Sequence, residues 1–305
     1  MPSIHVRPER PSDYAGIAAL HVRAFGQRLD EALIVNLHRQ RRSFDPDLSL
    51  VAEVEGQPVG HALFNPCQIQ LMGQTVRAVN LAPLGVEPAF QKRGVGTALI
   101  EAGHQLAREK GFALSFLLGH SEYYPRFGYR PRAFGVASIT LKPGDGATSL
   151  ERREPVESDL DALLALWRLQ EAQVDFAIEP ELTMCDWLSP HPAIRAVVFE
   201  RAGEIVGFVR LHKEEPCAPR FFLACDAGTA RAMIAGIAGC ASVVLPLHPR
   251  SSYAAELDGA VETAAWEAAM VCPLNDSPYE DYEREVKQGR RPPGRPLWNT
   301  TFDLA

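Results

Sequence analysis

Val79-Asn-Leu-Ala-Pro-Leu-Gly-Val86, followed by Gln91-Lys-Arg-Gly-Val-Gly-Thr-Ala98, decides how this chain is read. An apolar run rich in β-formers gives way to a turn with two glycines and then to a helical pattern. That order leaves backbone N–H groups at a helix N-terminus with no acceptor inside the helix, and the helix dipole adds positive charge there. Together they form an anion site suited to a diphosphate. The helix is marked by Val95, Ala98, Leu99, Ala102 and Leu106 at three- and four-residue spacing, with Glu101, Gln105, Arg108 and Glu109 on the other face. Gly111 stands where a left-handed C-cap would end it, and 112–118 is an apolar run short enough for a buried strand. Two other phosphate loops are excluded. No G-x-x-x-x-G-K-[ST] occurs, and Leu99 stands where a G-x-G-x-x-G motif has its third glycine.

Composition bounds the rest. A chain of 305 residues has room for about two domains, and 46% hydrophobic with 23% charged residues is ordinary for a globular protein. The net charge of −7 argues against a nucleic-acid backbone as partner. No apolar run approaches membrane-spanning length, and the opening Met-Pro-Ser-Ile-His-Val has neither a basic nor an apolar leader region. A cytoplasmic protein with no membrane partner is expected. Cys67, Cys185, Cys217, Cys225, Cys240 and Cys272 show no C-x-x-C pair, so they read as reduced, buried thiols. His5, His21, His38, His61 and His104, like His191, His212 and His248, have no ligand spacing; they read as surface or packing residues, and no metal is expected. Phe25, Phe44, Trp167 and Trp187 read as core, with lining of a ligand pocket as the alternative for some of them.

A cluster of turn formers, Lys142-Pro-Gly-Asp-Gly-Ala-Thr-Ser149, divides the chain into expected domains at 1–143 and 150–305. The flanks echo one another. Arg7, Ser12 and Asp13 recur as Arg153, Ser158 and Asp159, an offset of 146, each trio before an amphipathic helix with Ser or Asp as its N-cap. Val51, Glu53, Gly56, Val59 and Gly60 recur as Val198, Glu200, Gly203, Val206 and Gly207, an offset of 147, in what reads as two strands around a glycine turn. A tandem duplication is expected. At the same offset Gly94 and Gly96 fall on Ala241 and Val243, so the second copy has lost the loop. There a strand at 221–226 leads into a helix over 228–239, with further strands at 242–247 and 268–274. Arg290-Arg-Pro-Pro-Gly-Arg-Pro296 reads as a solvated connector before a last strand.

Gln91-Lys-Arg-Gly-Val-Gly96 matches the Q/R-x-x-G-x-G/A motif of the GCN5-related N-acetyltransferases position by position. Tyr123-Tyr-Pro-Arg-Phe-Gly-Tyr129 resembles that family's Y-x-x-x-G-F segment, with Tyr124 four residues before Gly128 and Tyr129 in place of the usual Phe. Leu81-Ala-Pro-Leu-Gly-Val86 resembles its fourth strand. The resemblance covers roughly residues 3–140 and implies an α+β fold: two such domains, each a central, mostly antiparallel mixed sheet flanked by helices, the second degenerate and without cofactor.

The resemblance also implies acetyl-CoA as co-substrate and direct acetyl transfer to a primary amine, carried by a small molecule or a protein. Leu84, Gly85 and Val86 would pair with the pantetheine as an added strand, with an N–H near Leu84 as oxyanion donor. Backbone N–H groups of Gln91, Lys92, Arg93, Gly94, Val95, Gly96, Thr97 and Ala98 would take the diphosphate. Tyr124 is the expected acid for the departing thiolate; Tyr123 reads as packing. The base is open among His120, Glu122 and a water oriented by Asn80, which stands where some relatives carry a glutamate. An acyl-CoA-binding sensor without turnover is the alternative, and a second domain that scaffolds a homodimer is a further reading.

Overall fold

The computed structural model describes residues 3–144, 150–236, 240–296, Thr300 and Asp303. The first half runs β1 (Ile4–Pro8), α1 (Tyr14–Ala24), α2 (Asp30–His38), β2 (Ser49–Val54), β3 (Gln57–Leu71), β4 (Gln74–Val86), α3 (Val95–Glu109), β5 (Leu114–Leu118) and β6 (Gly135–Leu141). The second half runs β7 (Glu151–Arg153), α4 (Leu160–Glu171), β8 (Ile194–Arg201), β9 (Glu204–His212), β10 (Phe221–Ala224), α5 (Ala227–Ala235), β11 (Val243–Leu245), β12 (Ala260–Ala265), β13 (Ala269–Pro273) and α6 (Tyr279–Lys287). The chain is α+β, with sheets ordered β1-β2-β3-β4-β5-β13, β10-β9-β8-β7 and β11-β6-β12. In the first sheet only β4 and β5 run parallel.

Strand alternation decides what each face of that sheet covers. Leu50, Ala52, Ala62 and Phe64 pack with Leu99 and Ile100 of α3, whereas Val51 and Leu63 pack with Ile17 of α1 and Val35 of α2. The sequence boundary at 142–149 is crossed twice. From beyond it, β13 completes the first sheet beside β5; from before it, β6 pairs with β11 and β12. Each exchange covers a strand edge that would otherwise be open. Residues 145–149 of the turn cluster lie outside the described residues.

The echoed residues build the same hydrogen-bonded knot twice. Arg7 donates to Glu53 (2.9 and 2.6 Å) and to both oxygens of Asp13 (2.7 and 3.1 Å). Arg153 donates to Glu200 (2.8 Å) and to both oxygens of Asp159 (2.6 and 2.8 Å). Both hairpins also carry a register shift at the equivalent glutamate, Ala52/Glu53 and Phe199/Glu200. The expected caps are corrected: Asp13 and Asp159 make no side-chain cap to α1 and α4. They accept the backbone N–H of Arg10 (2.7 Å) and Val156 (2.8 Å) instead.

Three other expectations are corrected. Cys217 is disulfide-bonded to Cys240, while Cys67, Cys185 and Cys225 are free and part-buried and Cys272 is free and buried. The pair meets because the β9–β10 connection folds back on β11, where Val244 N–H donates to Cys217 C=O (2.8 Å), a proximity that no spacing encodes. The connector at 290–296 is docked, not solvated: Arg295 is buried and donates to Glu171 (2.9 Å), Arg291 pairs with Asp175, and Gly294 bridges to Phe134. The last strand expected after it falls outside the described residues, Thr300 and Asp303 apart. Finally, the fixed offset misplaces the second copy's loop. The helix after β10 starts at Ala227, well before Ala241 and Val243, and residues 237–239 of the expected helix lie outside the described residues.

Gly103, mid-α3, lies under the buried Phe64 ring, and a Cβ there would meet ring atoms at 2.0, 2.2 and 2.7 Å. Gly→Ala in a helix normally gains up to ~1 kcal/mol, whereas overpacking a core costs ~1–3 kcal/mol. Because Phe64 is a ring held on all sides, the clash wins. Gly103→Ala should lower the melting temperature by several degrees; a rise would show that the ring has room to shift.

Candidate active site

The site forms where β4 and β5 part. They pair for three rungs, Ala78 with Leu114, Val79 with Ser115 and Asn80 with Phe116, and then β4 continues to Val86 without its neighbour. On its other edge β4 stays on β3, with Leu84 opposite Ala62, Gly85 opposite His61 and Val86 opposite Gly60. Glu87 N–H donates to Val59 C=O (2.9 Å), which sets the phase of the ladder. Alternation then turns the N–H and C=O groups of Leu84 and Val86 away from β3, into the gap. Gln91 Nε2 reaches the Val86 carbonyl (3.2 Å) and ties the loop to this strand.

The loop delivers the helix N-terminus to the same place. Gly94 caps α3 in the left-handed region (φ 87°), which only glycine enters without strain. Ala98 N–H donates to Gly94 C=O (3.0 Å), so the N–H groups of Val95, Gly96 and Thr97 precede the first helical bond and stay open. Ala98 is therefore removed from the expected donors. Arg93 stands over the Phe90 ring (5.5 Å) and does not line the cleft.

A cleft of about 900 Å³ occupies the gap. Leu84, Gly85, Val86, Gln91, Lys92, Gly94, Val95, Gly96 and Thr97 line it, as do His120 and Tyr124. Tyr124 starts a short 3-10 turn, Tyr124–Phe127, and its ring packs edge-on against Tyr123 (5.0 Å) and Tyr129 (5.7 Å). Burial, with a smaller effect of Tyr123, pushes its hydroxyl up to about 12, so it is a neutral donor at every working pH. Tyr123 does more than pack. A Cβ on Gly96 would lie 2.5 Å from its hydroxyl, which places Tyr123 over the start of α3, and the Arg126 guanidinium covers its ring (4.1 Å).

The expected bases separate. His120 is exposed at the cleft wall, and its carbonyl accepts the N–H groups of Tyr123 (3.0 Å) and Tyr124 (3.4 Å). Glu122 is exposed and faces a neighbouring depression with Ser121, outside the cleft. Asn80 is buried on the last β4–β5 rung, donating to Phe116 C=O (3.2 Å) with its Oδ1 unpartnered; it holds the vertex of the opening and does not line it.

The wall opposite the loop comes from α1 and α2: Ala24, Phe25, Glu31 and Ile34. Phe25 thus takes the pocket-lining alternative to its core reading, and Glu31 is a cleft residue that the sequence reading does not single out. Its only signal is an acidic first turn at Asp30-Glu31, which serves any helix N-terminus. Behind β4 a buried chain runs from His21 Nε2 to His61 Nδ1 (2.8 Å), then from His61 Nε2 to Ser49 Oγ (2.9 Å) and Glu9 (3.5 Å), and Glu9 is held by Arg39 (2.6 Å). Burial alone would raise the Glu9 carboxyl, but hydrogen bonds from His61 and Arg39 bring it down to about 2. Among the described residues no His, Cys, Asp and Glu cluster could hold a metal ion, and no helix is long and apolar enough to cross a membrane.

Residues 5–132 match the family model of the acetyltransferase (GNAT) domain. The uncharacterized N-acetyltransferase YjhQ of Escherichia coli K12 is 39% identical over 122 residues, 40% of this chain and 67% of that protein. The uncharacterized N-acetyltransferase YhbS of the same strain is 34% identical over 125 residues, 41% of this chain and 72% of its own. The crystal structure of a GCN5-related N-acetyltransferase from Kribbella flavida superposes with a TM-score of 0.71 over 90% of this chain and 72% of that one; at 19% identity this likeness concerns the fold alone. With the split strands, the open helix start and these relatives together, the chain belongs to the GCN5-related N-acetyltransferase superfamily.

Proposed function

We propose that this protein transfers an acetyl group from acetyl-CoA directly to a primary amine, using one cofactor site formed by residues 1–143. The observation that carries the reading is the free edge of β4 meeting the start of α3, whose cap Gly94 has no side chain to occupy its N–H groups, in one cleft. The N–H groups of Val95, Gly96 and Thr97, with Lys92 beside them, take the diphosphate, and the Leu84 carbonyl and Val86 N–H pair with the pantetheine. The Leu84 N–H is the oxyanion donor. Tyr124 donates to the sulfur as the thioester C–S bond breaks. The incoming amine loses its proton to water at the exposed side of the cleft, where His120 is a candidate acceptor. A sensor that binds acyl-CoA without turnover would need neither Tyr124 nor the second wall from α1 and α2.

The second half, residues 150–305, is read as silent. Its α5 begins at an Asp226 N-cap whose carboxylate accepts Thr229 N–H (2.6 Å), so a side-chain anion already sits where a diphosphate would bind. Among the described residues its β10 lies at a sheet edge with no parallel neighbour. Calorimetric titration of the full chain with acetyl-CoA should therefore give one site per chain. Two sites would overturn the silent second half; no binding by folded protein would remove the whole reading.

A further inference from the structure

The cleft is polarised from end to end. Lys92 and Arg126 flank the start of α3, whereas Glu31 is the one carboxylate among the described lining residues and stands on the opposite wall. Its Oε2 is shut off from solvent and has no hydrogen-bond partner. The nearby Arg28 guanidinium is held by Asp30 (2.7 and 3.0 Å). As the one carboxylate among the described lining residues, Glu31 is the counter-charge that a cation filling the cleft would meet. Glu31 sits in the first turn of α2. Around it, Phe25, Ile34 and Leu81 offer an apolar wall that suits a methylene chain rather than a polyol.

We infer that Glu31 is the acceptor-recognition residue and that the acceptor is an aliphatic amine carrying a second positive charge, the ammonium on Glu31 and the free amine at the thioester. This rests on the acetyltransferase reading above. The reacting nitrogen cannot itself be the ion on Glu31, because a protonated amine has no lone pair with which to attack. Two nitrogens are needed, one charged and one not.

The test uses the full chain and α,ω-diamines of four to eight carbons, each against the n-alkylamine of equal length, followed by thiol release from acetyl-CoA. The expected result is a kcat/KM at least ~10-fold higher for the diamine at the best length, with the ratio collapsing to near unity in Glu31→Gln, as loss of one charge-assisted hydrogen bond predicts. Acetyl-CoA affinity of Glu31→Gln, measured by calorimetry, checks that the fold and the cofactor end are intact. Equal rates for diamine and alkylamine, a diamine preference that survives Glu31→Gln, or no turnover of any diamine by cofactor-bound protein would each overturn the inference. Failure of the parent protein to bind acetyl-CoA would overturn the acetyltransferase reading itself.

Discussion

Tyr124→Phe is expected to lower kcat by about 10²-fold while acetyl-CoA affinity moves by less than about twofold. The phenyl ring stays, so the packing on Tyr123 and Tyr129 stays, and only the hydroxyl is lost. The size of the effect follows from the hydroxyl's pKa of about 12, raised by burial. An unperturbed thiol titrates near ~8.5, so complete proton transfer from this phenol to a thiolate is uphill. In the proposed reaction Tyr124 would therefore act as a neutral donor that stabilises negative charge as it builds on sulfur. A hydrogen bond to a charged group contributes ~1.5–3 kcal/mol, roughly ten- to a hundredfold in rate. Such a donor also leaves no limb in the pH–rate profile below about pH 11. A kcat within twofold of the parent would remove Tyr124 from the chemistry, and a limb near neutrality that vanishes in Tyr124→Phe would show that its pKa is far lower than burial implies.

How much of this was legible in the sequence depends on how local each feature is. The loop, its left-handed glycine and α3 are encoded in neighbouring residues, and the period of Val95, Leu99, Ala102 and Leu106 is enough to orient the helix. The members of the knots around Arg7 and Arg153 stand out in the sequence because they repeat at nearly one spacing, but the pattern reveals neither that they meet nor that Asp13 and Asp159 turn back toward the arginine instead of capping a helix. The cap at the start of α5 is also local: Asp226 three residues before Thr229 is an N-cap pattern, which the fixed offset to Ala241 passes over.

Features made by distant segments left no such trace. Glu31 becomes a cleft residue only because α2 packs beside β4, and His21 and His61 meet across 40 residues of sequence. The apolar run at 268–274 is recognisable as a strand, yet nothing in its alternation says that its partner is β5 of the other half. Pairing choice is a property of edges left open elsewhere in the fold.

Buried histidines lead to the second large effect, a steep loss of stability just below neutral pH. Burial lowers the pKa of His21, His38, His61, His104 and His248, with help from His61 at His21, Arg41 at His38, Arg108 at His104 and Arg295 at His248. At His61 burial outweighs the opposing pull of Glu9, and His104 and His248 come down to about 4 and about 3. Their folded values lie below the unfolded value near ~6.5, so the unfolded chain takes up more protons as the pH falls. Stability is therefore full above about pH 6.5 and is lost as the pH drops toward the folded values. Each histidine whose folded value lies well below the unfolded one contributes up to ~1.4 kcal/mol per pH unit, so several together remove a large part of a typical total of ~5–15 kcal/mol. Glu9 cannot offset this, because its lowered pKa of about 2 adds a second loss at lower pH, below the ordinary carboxylate value. Thermal melts followed by circular dichroism should show a melting temperature falling sharply between pH 7 and 5.5, with calorimetry in buffers of different ionisation enthalpy detecting uptake of up to about five protons on unfolding near pH 5.5. A flat melting temperature across that range would mean that these imidazoles are protonated inside the fold, and the hydrogen-bonded chain behind β4 would then have to carry a charge that its surroundings disfavour.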